Sequence, residues 1–289
     1  MILNDGIILK VIAGLYTVKS GNNTYECSAR GNFKNKNIKL LAGDSVKFNA
    51  EEKVICELNK RKNFLIRPPV ANIDNLFIVS SFNNPTPNAI YIDRLTVIAD
   101  INNIKPIIVF NKCDTGDFSE WVNIYKNSGI GVIVASAKEN IGIEEIKENI
   151  SGKISAFTGN SGVGKSSLLN KILNLKIETG ELSKKLGRGK HTTRETSLYS
   201  YNNGYIVDTP GFSSIETEKV LNCKKEDSAK HFNEFNPFLG KCKFTSCSHT
   251  TEKGCAVIEA VKNGKISSSR HSSYVDFYNE LKNIKEWER

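Results

Sequence analysis

The octapeptide Gly159-Asn160-Ser161-Gly162-Val163-Gly164-Lys165-Ser166 constrains this chain more than any other feature. It fits G-x-x-x-x-G-K-[ST] between a strand-like run, residues 153–158, and a stretch with helical spacing, residues 165–173. Strand, glycine loop and helix in that order make one unit of a mostly parallel sheet. The glycines let successive amide NH groups face phosphate oxygens, and the helix N-terminus adds partial positive charge. Lys165 is placed to neutralise β and γ oxygens, Ser166 to ligate Mg2+, and Ser167 follows in the first helical turn. A purely structural glycine turn requires neither the lysine nor the flanking strand and helix.

The surrounding text alternates in the same way. Strand patterns at 73–81, 105–110, 131–135 and 153–158 are separated by helix patterns at 89–100, 118–127 and 143–150. A hairpin follows at 197–201 and 205–207, read as turning at Asn203-Gly204. This alternation predicts an α/β domain with helices on both faces of the sheet. Asn111-Lys112-Cys113-Asp114 follows one strand, where nucleotides bind in such sheets. A carboxylate there accepts from N1-H and the 2-amino group of guanine, a donor pair that adenine lacks, and Lys112 lies along the base. Ser136-Ala137-Lys138 follows another strand and offers the Ala137 amide to guanine O6. Asp208-Thr209-Pro210-Gly211 supplies a carboxylate for Mg2+ and a Gly211 amide for the γ-phosphate. Thr192 or Thr193, in the glycine-rich stretch 187–193, completes the Mg2+ shell; spacing does not choose between them. Each pattern is weak alone. Together, at successive strand ends, they specify a guanine nucleotide site.

Charge divides along the chain. The formal net charge is +9 over 289 residues, but residues 69–217 hold 15 basic and 15 acidic side chains. The surplus lies in residues 1–68, with 12 against 6, and residues 218–289, with 13 against 10. A neutral catalytic core between basic flanks favours a polyanionic partner held away from the chemistry. Residues 1–68 read as five or six short strands, at 7–12, 16–18, 24–29, 38–41, 46–48 and 54–58, punctuated by glycine and asparagine. The expectation is an OB-like β-barrel that binds RNA, with Arg30, Lys34, Lys36 and Lys39 on phosphates and Phe33 against a base. A barrel serving only as a docking spacer is the alternative. Arg67-Pro68-Pro69 marks its end. In the last segment, Cys242, Cys247, His249 and Cys255 form a C-x4-C-x-H-x5-C set, the complement for a closed tetrahedral structural Zn2+, with a set of buried thiols as the alternative. Apolar spacing over 274–287 predicts a packed helix. No apolar run approaches the ~18 residues that span a bilayer, and the start lacks a signal-peptide pattern, so the expectation is a cytoplasmic chain.

The nucleotide motifs resemble those of Ras-type GTPases, in the order base loop, second base loop, P-loop, threonine loop, D-x-x-G, which resembles the circularly permuted GTPases. Termini that lie close in space make such a permutation compatible with an intact site. With Gly-Asn-Ser-Gly-Val-Gly-Lys-Ser-Ser at 159–167, Gly-Arg-Gly-Lys-His-Thr-Thr at 187–193, Cys-Lys-Phe-Thr-Ser-Cys-Ser-His-Thr at 242–250 and Gly-Cys-Ala-Val at 254–257, the whole chain resembles the ribosome small subunit-dependent GTPase (RsgA/YjeQ) family. That resemblance implies three domains: an OB-fold RNA-binding domain at 1–68, a permuted GTPase domain at 69–217, and a mainly helical zinc-binding domain at 218–289. It further implies a monomeric factor that binds the 30S subunit and 16S rRNA, hydrolyses GTP to GDP when stimulated by the subunit, and acts in late small-subunit maturation. Ras-like sites place a water-orienting glutamine just after D-x-x-G, where this chain has Phe212. Slow intrinsic turnover is therefore expected. The resemblance points to His191 as the residue that orients water; a solvated or RNA-contacting histidine is the alternative. Arg188, Lys190 and Arg194 are read mainly as rRNA contacts. A GTPase of 50S assembly or translation, and an RNA-binding module using GTP as a conformational ligand, are the competing functions.

Overall fold

The computed structural model describes residues 2–65, 68–174, 196–208 and 223–284. Strands β1 (Asn4–Ile12), β2 (Leu15–Ser20), β3 (Asn23–Ala29), β4 (Ser45–Asn49) and β5 (Val54–Leu58) close into a five-stranded barrel, because β1 pairs with both β2 and β4. The ladder runs β1-β2-β3-β5-β4, with β3 and β5 parallel and the other pairs antiparallel. Ile8, Val18, Cys27, Leu40, Val46, Phe48 and Ile55 fill the interior.

Two expectations for this domain are corrected. Residues 38–41 are not a strand. The short helix α1 (Gly31–Asn35) turns the chain there, and the Leu41 amide donates to the buried Asp44 carboxylate at 2.7 Å instead of to a neighbouring strand. Phe33 is not available to a base. It lies in α1 at 6% exposure and plugs the barrel core, where burying a phenylalanine ring is worth about 1.5–3 kcal/mol.

A second set of strands continues from the barrel. β8 (Asn75–Ser81), β9 (Lys105–Asn111), β10 (Gly131–Val134), β11 (Ile154–Thr158), β12 (Ser197–Tyr201) and β13 (Gly204–Asp208) lie in the order β10-β9-β8-β11-β13-β12. All are parallel except β12 at the edge. Every residue of β8 and β11 is buried, which is why their text is nearly continuous apolar sequence without alternation. Helices α2 (Ala89–Ile101) and α3 (Ser119–Asn127) cover one face, and α4 (Ile143–Ile150) and α5 (Lys165–Ile172) the other.

The β12–β13 turn is Asn202-Asn203, one residue earlier than read. Both asparagines adopt positive φ, 44° and 60°, as a two-residue hairpin requires. Gly204 instead begins β13, where an added Cβ would stand 2.5 Å from the Lys153 carbonyl oxygen.

Among the described residues the barrel meets this sheet through a bridge of Lys10 with Ser197 of β12, through Lys19 Nζ donating to Ser200 Oγ at 2.9 Å, and through Ile7 and Leu9, which pack against the core of the sheet. A two-stranded ribbon, β6 (Phe64–Leu65) and β7 (Val70–Ala71), connects the two domains and bridges back to Ala42.

The C-terminal region holds 3-10 helices Lys225–His231 and Asn233–Phe238, then α6 (Ala256–Lys262) and α7 (Ser268–Asn283). Helix α7 starts six residues before the apolar spacing predicted. Its buried face is Arg270, Ser273, Tyr274, Phe277 and Leu281, so Val275 and Tyr278 are only half-buried. Arg270 explains the difference, for at 1% exposure it forms ion pairs with Glu234 (2.7 Å) and with Asp93 of α2 (2.8 Å). Among the described residues no helix is long and apolar enough to cross a membrane.

Candidate nucleotide site and metal centre

The loop after β11 is shaped by glycines whose neighbours leave no room for a side chain. Gly159 has φ 141° and a Cβ there would stand 2.2 Å from the Val79 carbonyl oxygen, so the chain can leave the sheet only beside bare backbone. Gly164 has φ 91° and caps α5; its absent Cβ would sit 2.3 Å from Asn111 Nδ2. Val163 is buried beneath the loop, and the exposed Ser161 and Gly162 form its crest. Lys165 Nζ donates to the carbonyl oxygens of Gly159 (2.6 Å) and Asn160 (2.7 Å), curled across the loop where phosphate oxygens would compete for it. Burial lowers its pKa, so an anion entering the loop restores solvation to a charge that is short of it. Ser166 and Ser167 stand half-buried in the first turn of α5. Asp208 ends β13, next to β11 in the sheet.

Both loops expected to meet the base stand at the same sheet edge as the glycine loop. Asn111 is 1% exposed and bridges them, donating from Nδ2 to the Val163 carbonyl (2.9 Å) and accepting the Ala137 amide on Oδ1 (3.3 Å). Lys112 takes a left-handed backbone, φ 64°, which is costly for a side-chain-bearing residue and aims its ammonium at the Gly162 carbonyl, 2.8 Å away. Asp114 accepts the hydroxyl of the fully buried Ser136 at 2.6 Å. That hydrogen bond holds its carboxyl below the usual range, with Lys138 a further cation 3.9 Å away. Asp114 is thus an ionised acceptor in a fixed orientation. The Cys113 thiol is pushed up by burial and stays protonated. The structure therefore brings together Asn111, Lys112, Asp114, Ser136, Ala137 and the loop 159–166. His191, Thr192, Thr193 and Gly211 lie outside the described residues, as do Arg188, Lys190, Arg194 and Phe212.

One contributor escaped the sequence reading. The Asn-rich and Pro-rich stretch 82–88 leaves the end of β8 and rests on the phosphate loop: the Asn84 carbonyl accepts from Lys112 Nζ at 3.4 Å, and Asn84 and Pro85 abut Gly162. Buried Ser81 secures it by donating to the Pro85 carbonyl at 3.0 Å. The available signal was positional, since this stretch follows a strand adjacent to β11 and so occupies the same edge.

The ligand atoms of Cys242, Cys247, His249 and Cys255 all lie within 4.8 Å of one another. The Cys242 and Cys255 sulfurs are 3.8 Å apart, and His249 Nδ1 is 3.5 Å and 3.4 Å from them. A tetrahedron with Zn–S near 2.3 Å and Zn–N near 2.0 Å has edges of about 3.8 and 3.5 Å, so the donor set fits the ion. Outer partners hold the loop. Glu252 accepts the amides of Ser248, Thr250 and Thr251, Tyr274 donates to the Ser248 carbonyl, and a ring nitrogen of His271 lies 2.8 Å from the His249 carbonyl oxygen. On the barrel, Arg30, Lys36 and Lys39 are exposed around α1, whose Lys34 side chain is outside the description.

The profile of the RsgA GTPase family matches residues 58–218, and that of the RsgA N-terminal domain matches residues 5–55. The chain is 42% identical over 286 residues to the small ribosomal subunit biogenesis GTPase RsgA of Caldanaerobacter subterraneus, covering 96% of both chains. It is 41% identical to the protein of that name from Clostridium novyi, covering 96% of this chain and 97% of that one. Among solved structures, YjeQ from Thermotoga maritima superposes with a TM-score of 0.83 at 34% identity, covering 98% of this chain and 100% of that one. YloQ, described as a circularly permuted GTPase, gives 0.81 at 31% identity, with 98% and 96% covered.

Proposed function

Because the chain belongs to the RsgA GTPase family, we propose that this GTP hydrolase acts in maturation of the small ribosomal subunit, gripping 16S rRNA with its barrel and hydrolysing GTP when the subunit completes its site. The observation that carries this reading is the assembly of three guanine-nucleotide loops on one edge of a charge-neutral core, with the largest cationic surplus on a separate barrel.

Asp114, oriented by Ser136, selects guanine through N1-H and the 2-amino group. Lys112 lies along the base, and Ala137 presents its amide to O6. On binding, Lys165 exchanges the Gly159 and Asn160 carbonyls for β and γ oxygens, while the amides of 160–167 enclose the phosphates. Ser166 and Asp208, with Thr192 or Thr193, would hold Mg2+, which would supply neutralisation of phosphate charge. Gly211 contacts the γ-phosphate. Phe212 can neither orient nor deprotonate water, so intrinsic turnover is slow and His191 orients the nucleophile once the subunit is bound. Cys242, Cys247, His249 and Cys255 hold one structural Zn2+. Arg30, Lys34, Lys36 and Lys39 contact RNA phosphates, with Phe33 serving the barrel core.

GTP hydrolysis measured alone and with 30S, 50S or 70S particles, at two salt concentrations, tests the reading. Stimulation by 30S is expected; stimulation by 50S in its place overturns it. His191→Ala should bind GTP normally and lose subunit-stimulated turnover, a fall of about 100-fold or more for a lost water-orienting group. Unchanged stimulated turnover removes His191 from the mechanism. Replacing Lys34, Lys36 and Lys39 together by Ala should weaken 30S binding and flatten its salt dependence, with GTP affinity unchanged. Intact subunit binding would refute the charge assignment.

A further inference from the structure

Helix α2 belongs to two domains at once. Ile92, Leu95 and Ala99 pack into the GTPase core, whereas Val97 and Ile98 pack into the C-terminal core with Phe232, Phe277 and Leu281. Its polar residues are committed in the same direction. Asp93 and Thr96 face the buried Arg270, Arg94 pairs with Glu280 at 2.7 Å, and Asp100 lies 2.7 Å from His231. The other end of the helix meets the nucleotide site. Asn88 caps α2 by accepting the Tyr91 amide, and it terminates the stretch whose Asn84 and Pro85 abut Gly162 and whose Asn84 carbonyl accepts from Lys112. Tyr91, in the first turn, places its buried hydroxyl beside Thr158, the residue before Gly159. A 13-residue helix is a rod of about 20 Å. The start of this rod carries the stretch that abuts the phosphate loop and sits beside the strand end that enters that loop, and its outer face, from Asp93 to Asp100, is clamped by the domain that carries the Cys3His cluster.

We propose that α2 is a positioning element for GTP binding: the C-terminal domain, through Arg270, Glu280 and His231, sets the placement of residues 82–88 against the phosphate loop. Nucleotide occupancy and integrity of the metal centre are then thermodynamically linked, and each strengthens the other by the same factor. The linkage runs through this packed helix and not through the direct chain connection at 209–222. Continuity in space nominates the route, and a coupling measurement decides it.

The experiment measures apparent zinc affinity of the full chain by competition with a chromophoric chelator, with Mg2+ in both arms, without nucleotide and with saturating GDP. Labelled-GDP affinity is measured on the same samples. The inference rests on the nucleotide and metal readings above. Stoichiometric zinc and saturable GDP binding by the wild-type chain are therefore established first, so that a failure of those readings is seen separately.

GDP is expected to tighten zinc binding about tenfold, within the usual range for coupled sites. Equal zinc affinity in the two arms overturns the proposal. Arg94→Ala with Glu280→Ala breaks a pair whose side chains are 30% and 34% exposed, a change the fold tolerates, and should shrink the effect to about threefold or less. Arg270→Lys keeps the charge and loses the two-pronged contact with Glu234, and should give an intermediate value. A Gly-Ser-Gly insertion after Glu218 lengthens the direct connection and should leave the effect intact. Full coupling in both substitution variants, or its loss in the insertion variant, assigns it to another route and overturns α2.

Discussion

The two flanking domains are fastened to the same core in opposite ways. The barrel has its own closed ladder and its own interior, and it adds to the edge of the GTPase sheet through the Lys10–Ser197 bridge, the Lys19 to Ser200 hydrogen bond and the apolar contacts of Ile7 and Leu9, with no buried charge across the junction among the described residues. The C-terminal domain has no comparable independence. Its core includes two residues of α2, and its most deeply buried cation, Arg270, is neutralised partly by Asp93 from the other domain. An edge-added barrel can shift without unpairing any buried charge. A domain locked by a buried ion network cannot, because even a small shift draws Arg270, which stays paired with Glu234 of its own domain, off the Asp93 carboxylate while both are still shielded from water. The difference separates a domain hung on the edge of the sheet from one built into its core.

The largest expected effect breaks the second arrangement. Arg270→Met leaves two carboxylates buried without their cation and should cost about 3–5 kcal/mol. In chemical denaturation, GTPase and C-terminal signals should fall together at lower denaturant; a C-terminal transition that detaches while the GTPase transition stays in place would contradict the shared core. A smaller effect follows pH. Hydrogen bonding to Asp100, aided by Cys223, raises the His231 pKa to about 9, above its ordinary 6.5. A raised folded value means that the protonated pair stabilises fully below about pH 6.5 and is lost as pH climbs through about 9. The pair is partly solvated, so the loss is on the order of 1 kcal/mol. Asp100→Asn should flatten the decline of stability between those limits, and an unchanged profile would show that the pair contributes nothing. The smallest effect belongs to the barrel. Lys19→Ala removes one hydrogen bond at the junction and should change stability by about 0.5 kcal/mol or less, with no change in GDP affinity. A loss of several kcal/mol would mean that the barrel is bound to the core as firmly as the C-terminal domain.

The same contrast decides what could be read in advance. The phosphate loop was legible because its chemistry is local: glycines where backbone crowds backbone, and a lysine at a helix start. The convergence of Asn111–Asp114 and Ser136–Lys138 on one edge was legible by position at strand ends, and the gathering of the Cys3His donors by their spacing. Phe33 misled because a ring among lysines has the composition of an RNA contact, while the barrel needs a plug from its inter-strand helix. Arg270 was illegible. Its serine-rich surroundings give no local sign of burial, and its partners Glu234 and Asp93 are 36 and 177 positions away. Long-range ion pairs leave no periodicity in a sequence.

The permuted strand order also has a consequence in time. A nascent chain is made N-terminus first, and domains fold as their residues become available. The barrel is complete once β5 has been made, yet the strand it sits against, β12, begins at Ser197. Strands β8, β9 and β10 likewise precede β11, which then keeps one edge unpaired until β13 arrives at Gly204. The half of the sheet that carries Asn111–Asp114 and Ser136–Lys138 is therefore synthesised before the strand that leads into the glycine loop is fully flanked, and the barrel, made before either, waits longest for its seat.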